Sequence, residues 1–274
     1  MHSILTTAAG MQRVQRIGLA LAGVVFAIAA APLSHAAVCA FAEQGNGHVA
    51  EIIDGRSFRL ADGREIRLAG VETASVAAAA VARPHALAAI IGDHDVILRG
   101  EDDAPDRYGR QAAFVFLPDS GTLVQRELLA RGQALAAVDV ADKACAAALN
   151  AAEAEARAAR RGIWETASVI KNAESPGDIL SAVGRFVVVE GKVLSVRQGG
   201  TTTYLNFGRN WTRGFAVTIS KRMMPVFEAA GLAVKAFEDR RIRVRGWVEA
   251  HQGASPGPRI DVTKLTQIEL LSSN

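Results

Sequence analysis

The chain has two cysteines in 274 residues, Cys39 and Cys145, and no metal-ligand spacing connects them. That excludes a zinc ribbon or similar thiolate cluster. It also lacks a long apolar run. The stretch from Ile17 to Ala31 is shorter than the ~20 apolar residues that span a bilayer, so it does not read as a membrane anchor. Net charge is nearly absent too: without Arg13 and Arg16, 29 basic residues face 28 acidic ones. A uniformly polycationic surface is therefore excluded, and the location of charge becomes the informative quantity.

What is present at the start is a short basic region with Arg13 and Arg16, the apolar run, and then APLSHA, with small residues Ser34 and Ala36 where a signal peptidase reads. Residues 1–36 are expected to be a signal peptide. The mature chain is then expected to be periplasmic or secreted, with no stable membrane span after cleavage. A lipoprotein anchor at Cys39 is disfavoured because Val38, not a small residue, precedes it. In an oxidising compartment Cys39 and Cys145 should form one disulfide, the alternative being two separately buried thiols. Charge divides unevenly along the chain. Residues 37–165 carry 14 basic and 19 acidic side chains, net −5, and residues 166–274 carry 15 and 9, net +6.

From His48 to Phe116 short apolar and β-branched runs alternate with turn signals, Asp62-Gly63 among them. A helical pattern around Ala78–Ile91, led into by Pro84, interrupts them. QRELLARGQALA predicts a helix ending near Gly132, and Lys143–Arg161 an Ala, Glu and Arg helix closed by Gly162. Residues 166–184 lose periodicity and carry Ser175, Pro176 and Gly177, which reads as a linker. Beyond it, GRFVVVEGKVLSVRQ, TTTYLNFG, GFAVTIS, RRIRVRGWVEA and RIDVTKLTQIEL are five strand candidates, with a helical insert, MMPVFEAAGLA, between the third and fourth. That order predicts an OB-type barrel over residues 185–272, a hairpin-rich sandwich being the alternative.

IDGRSFRL, IRLAGVETAS, DRYGRQAAFVFL, VQRELLARGQA and AEARAARRGIW follow one another in the order of a known family. Residues 37–165 thereby resemble the staphylococcal nuclease-like (thermonuclease) domain, itself an OB-type barrel with flanking helices. The resemblance implies a fold class mainly β with flanking helices (α+β), with two OB-type five-stranded barrels in tandem once the second region is added. Catalytic members of the family hold calcium with two acidic side chains, activate water with a glutamate and bind the scissile phosphate with two arginines. Calcium suits hard oxygen ligands, and guanidinium matches phosphate bidentately.

By that resemblance the arginines are Arg67 and Arg110, and Glu72 stands where the family has a metal-binding aspartate. Two carboxylates are replaced. Asp54-Gly55-Arg56-Ser57 stands for Asp-Gly-Asp-Thr, and Ser75 occupies the place of the water-activating glutamate. A cation in a metal's place opposes divalent binding. Arg56 either joins Arg67 and Arg110 as a phosphate clamp or pairs with Glu72 or Asp54 and closes the site. Arg59 and Arg64 belong to the solvated hairpin face. His85 and His94 lack partners of recognisable spacing, and the acidic run Glu101–Asp106 reads as a solvated loop.

In the basic region Tyr204, Phe207, Trp211 and Phe215 alternate with Arg209 and Arg213, a composition suited to stacking bases and following a phosphate backbone. Phe207 and Phe215 fit core packing equally well, leaving Tyr204, Arg209, Trp211 and Arg213 as the ligand-binding set. Arg241, Arg243 and Arg245 fall at period two on one strand face, which should look outward. Two functions follow. One is a catalytically impaired thermonuclease-like protein that needs no cofactor and binds single-stranded nucleic acid, another polyanion or an envelope protein. The other is a phosphodiesterase using calcium at an altered site around Asp54, Glu72 and Asp106.

Overall fold

The computed structural model describes residues 39–74, 77–210, 212–250 and 257–271, with residues 77–83 as backbone only. The predicted signal peptide, Ser75 and Trp211 lie outside the described residues. Five strands, β1 (Ala42–Ile52), β2 (Ser57–Leu60), β3 (Glu65–Leu68), β5 (Asp95–Gly100) and β6 (Arg110–Phe116), close a barrel in the order β1-β2-β3-β6-β5. All neighbours pair antiparallel except β3 and β6, which are parallel. Alternation explains the hairpin: Phe58, Leu60, Ile66 and Leu68 point inward and are buried, while Arg59, Glu65 and Arg67 take the other face. Gly63 supplies the positive φ, 90°, of the expected Asp-Gly turn.

A short strand β4 (Val71–Glu72) follows β3, and α1 (Ala77–Ile91) lies between it and β5. After β6 come α2 (Val124–Ala130), a two-residue strand β7 (Leu135–Ala136) that pairs with β4, and α3 (Lys143–Ala158). Asp142 caps α3 by accepting the Cys145 N–H at 2.6 Å. The inward stripe of α3 is Cys145, Leu149, Ala152, Glu153 and Ala156. Cys145 is bonded to Cys39, closing a loop of 106 residues, worth about 4–5 kcal/mol in the chain-entropy account. The ends of α2 and α3 meet at Gly132 and Gly162, with φ 66° and 56°. A Cβ on Gly132 would lie 2.1 Å from the Arg161 carbonyl, so only glycine permits this approach.

The second region departs from expectation in two ways. Residues 166–184 are built into the fold: β8 (Ile170–Asn172) pairs in parallel with β9 (Phe186–Lys192), and α4 (Pro176–Leu180) buries Ile179. The region also forms two open sheets, not a closed barrel. One has the order β10 (Ser195–Gly199), β11 (Thr202–Asn206), β12 (Ala216–Ser220), β15 (Pro258–Val262), β14 (Glu249–Ala250). The other has the order β16 (Ile268–Leu270), β13 (Arg241–Trp247), β9, β8. A helix, α5 (Met224–Ala229), follows β12 as predicted.

The sheets separate where single runs of sequence change partners. Between β9 and β10 the Val193 N–H bonds to Arg240, on the β13 side, and the Leu194 N–H bonds to Asn206 of β11. Between β13 and β14 the Val248 N–H bonds to Arg185. One apolar core, including Val189, Leu205, Phe207, Phe215, Val217, Ile242 and Ile260, fills this region. Phe207 and Phe215 therefore pack inside, with ring centroids 5.1 Å apart.

The strand face of Arg243 and Arg245 does not look outward. Arg245 is buried and forks onto Glu153 of α3, Nη2 to Oε1 at 2.7 Å and Nη1 to Oε2 at 3.0 Å. Glu153 is fully buried and also accepts the Ala136 N–H at 2.6 Å, while Arg245 donates to the Ala136 carbonyl at 3.1 Å. Arg243 bridges Glu190 and Glu269 on the strands to either side. A third apolar cluster, with Leu135, Ala156, Ile163 and Trp164 against Val169, Phe186 and Val188, joins the halves around this pair. Only Arg241 of the three is exposed.

Removing one partner should leave a buried charge unpaired. Glu153→Ala is expected to lower unfolding free energy by about 3–5 kcal/mol in urea melts, and replacing both by apolar residues, Glu153→Leu with Arg245→Met, by far less. Equal losses in the single and double variants would contradict the pairing.

Candidate functional site

The site begins at the turn between β1 and β2. Asp54 accepts the Arg56 backbone N–H at 2.8 Å, and the Ile53 and Asp54 amides both bond to the Ser57 carbonyl. This loop turns the Arg56 side chain toward β4, where Nη1 donates to the Glu72 carboxylate and to the Val71 carbonyl at 3.3 Å. From β3, Arg67 Nη2 approaches the other Glu72 oxygen at 3.6 Å. Glu72 is 8% exposed, and pairing of β4 with β7 holds its backbone. The structure thus brings Arg56, Arg67 and Glu72 together.

Arg110, at the start of β6, binds Asp106 through Nε at 3.1 Å and Nη2 at 2.8 Å, and its backbone N–H donates to the same carboxylate. Tyr108, 66% exposed, lies beneath the guanidiniums of Arg107 and Arg110 at 4.8 and 5.0 Å. Asp106 is thereby the member of the acidic run with an ion-pair partner among the described residues, the Asp102 carboxylate accepting only the Ala104 N–H. Arg59 and Arg64 pair with Glu51 and Asp62 on the outer hairpin face.

Burial opposes charge on both members of the central pair. It pushes the Glu72 carboxyl up against the pull of Arg56 and Arg67, and it lowers Arg56, which Arg67 lowers further. The carboxylate oxygens that would face a metal are thus spent on guanidinium. Among the described residues no group of three or more histidine, cysteine, aspartate or glutamate side chains is placed to hold a metal ion. The described donor set does not fit calcium: Glu72 is engaged by two guanidiniums, Asp54 accepts the Arg56 amide and Asp106 is held by Arg110, which leaves neither the oxygen number nor the uncompensated negative charge that six- to eight-fold coordination requires.

In the second region Tyr204 is half-buried on β11 with Arg259 stacked over its ring at 5.2 Å. Arg209 and Arg213 are exposed in the loop between β11 and β12, whose turn is held by Asn210 accepting from Thr212 and Arg213. His94 bonds locally to Gly92, and His85 is exposed. Sequence reasoning passed over two features. His48 sits between Asp95 and Asp93 at 3.0 and 3.1 Å, hydrogen bonds that raise its pKa, Asp95 contributing most. Trp247, 44% exposed at the end of β13, borders a cleft with Glu72 and Thr73. The tryptophan closing the arginine-rich run RRIRVRGWVEA was the available signal for it.

Residues 65–166 match the staphylococcal nuclease homologue family and form a domain of that kind. The match takes in Arg67, Glu72 and Arg110 and begins after Arg56, although β1 and β2, upstream of it, complete the barrel. No curated protein matches the chain. No helix among the described residues is long and apolar enough to cross a membrane.

Asp106 offers a pH readout. Arg110 and backbone donors hold its carboxyl at about 2, below the ordinary ~3.9. A depressed carboxylate stabilises the fold above its unfolded pKa, and that contribution is lost as pH falls from ~4 toward 2. Carbon-detected NMR should find Asp106 ionised at pH 3, and Asp106→Asn should flatten the acid limb of stability between those values.

Proposed function

We propose that this chain binds nucleic acid through its staphylococcal nuclease-like domain and the basic region packed against it, and does not hydrolyse it with calcium. The Arg56–Glu72 ion pair carries the reading: by the resemblance of the hairpin, Arg56 takes the position of a metal-binding carboxylate of the nucleases, and the pair engages the glutamate beside it. Two like charges 4 Å apart repel by roughly 4 kcal/mol at an effective dielectric of 20, comparable to the free energy of a millimolar calcium site. Arg67, with the longer contact to Glu72, and Arg110, which would exchange Asp106 for phosphate, are the cations we assign to the phosphate backbone, and neither supplies a nucleophile or a base.

Arg209 and Arg213 extend the polyanion surface into the region of net charge +6, with no carboxylate partner among the described residues. We read the two sheets there as an OB-type barrel opened at Val193–Leu194 and Val248, a reading supported by the parallel pairing of β12 with β15, which mirrors that of β3 with β6. The disulfide supports action in an oxidising compartment, periplasmic or secreted. Retention of Asp54 and Asp106 beside Arg110 favours the second reading, a phosphodiesterase with an altered site.

A nuclease assay separates the two. The mature protein should leave single- and double-stranded DNA intact in calcium, and Arg56→Asp with Ser75→Glu, which restores two carboxylates, should gain slow cleavage. Robust calcium-dependent cleavage by the wild-type chain would falsify the binding reading.

Binding should fall with salt. Replacing Arg209 and Arg213 by alanine in the intact mature chain should reduce the slope of log K against log salt by about 1.4 for a single-stranded oligonucleotide. The intact chain is required because separating the halves would strand Glu153 and Arg245. An unchanged slope would return both arginines to a solvated face.

A further inference from the structure

The cleft beside the Arg56–Glu72 pair is shared by both halves of the chain. Glu72, Thr73 and Ala74 line one side, and Arg185, Phe186 and Trp247 the other, around a volume of about 270 Å³. Trp247 is placed rather than merely exposed. Its ring meets buried Phe186 edge-to-face, at 6.1 Å between centroids and 75° between planes, while the side chain stays 44% exposed. Arg185 is exposed at the rim and has no carboxylate partner among the described residues, whereas Arg56 and Arg67 are engaged with Glu72.

The combination selects a ligand chemistry. A positioned aromatic face beside an unpaired guanidinium takes a flat ring attached to an anion. The volume lies just below the ~300–1,000 Å³ of pockets that enclose a whole small molecule, which suits one ring system entering from a longer ligand. Bases in a duplex have both faces covered, so the ring must come from a single strand. Glu72 in the lining repels phosphate, so the neighbouring phosphate falls at the rim, toward Arg185.

We propose that this cleft is a stacking site for one unpaired base of single-stranded nucleic acid, with Trp247 as the platform and Arg185 on the adjoining phosphate. The assignment rests on the nucleic-acid reading above and adds a substrate contact from outside the nuclease-like domain.

The test is titration of a fluorescein-labelled oligothymidylate into the intact mature protein at low ionic strength, with thermal melts run in parallel. Trp247→Leu, which keeps apolar bulk over Phe186, should weaken binding about tenfold with an unchanged salt slope, and Trp247→Phe should retain most of the affinity. Arg185→Ala should lower the slope by about 0.7. Equal affinity of Trp247→Leu and wild type, with loss on Arg67→Ala, overturns the stacking site while leaving the nucleic-acid reading intact, and turns the cleft toward a peptide partner. No salt-sensitive binding by wild type overturns both.

Discussion

The Glu153 carboxylate is the point on which the two halves of the chain depend. It lies fully buried in α3 and accepts both arms of Arg245 from β13, the Ala136 amide from β7 and a longer contact from Arg157. Such a pair adds little net stability, because desolvation offsets most of the attraction. What it supplies is orientation. Neither charge can leave the other, so the strand carrying Arg245 must sit on the helix carrying Glu153. The apolar seam of Leu135, Ala156 and Trp164 with Phe186 and Val188 then closes around them.

That constraint reaches the candidate site through two residues. β7 holds Glu153 by the Ala136 amide and pairs with β4, where Leu135 stands opposite Glu72. The backbone of the residue that Arg56 and Arg67 bind is thus tied to the same short strand that receives the seam. Two residues after Arg245, at the end of the same β13, comes Trp247, so the cleft between Glu72 and Trp247 is a consequence of the seam. In this arrangement the second region contributes the aromatic ring of Trp247 and the guanidinium of Arg185, and the barrel side contributes Glu72, a division that follows their opposite net charges of −5 and +6. Arg56 and Arg67 are local exceptions to an acidic domain, and Glu72 holds both.

Much of this was legible in the sequence because the determinants are local. The Asp62-Gly63 hairpin, the ends of α2 and α3 at Gly132 and Gly162, and the partnership of Cys39 with Cys145 rest on neighbouring residues or on there being only two cysteines. The Arg56–Glu72 pair was one of two open alternatives, since 16 positions separate residues that only barrel closure brings together. The seam was not legible. Arg241, Arg243 and Arg245 alternate as a solvated face does, and the carboxylate that buries Arg245 lies 92 positions away on a helix that reads as an ordinary Ala and Glu stretch. The closed second barrel failed for a related reason: period-two alternation locates strands, but it does not say where Val193–Leu194 hands its hydrogen bonds from one sheet to another. Residues 166–184 lacked periodicity because β8 and α4 are too short to show one.

The central claim is that Arg56 stands in the metal's place with Glu72 as its counterion. Calorimetric titration of calcium into residues 37–274, beside the Arg56→Asp variant, tests it most directly. The account predicts no saturable heat from the wild-type chain and the appearance of a weak site in the variant, where a carboxylate returns and Glu72 is released. A saturable calcium site in the wild-type protein that disappears on Glu72→Gln would contradict it.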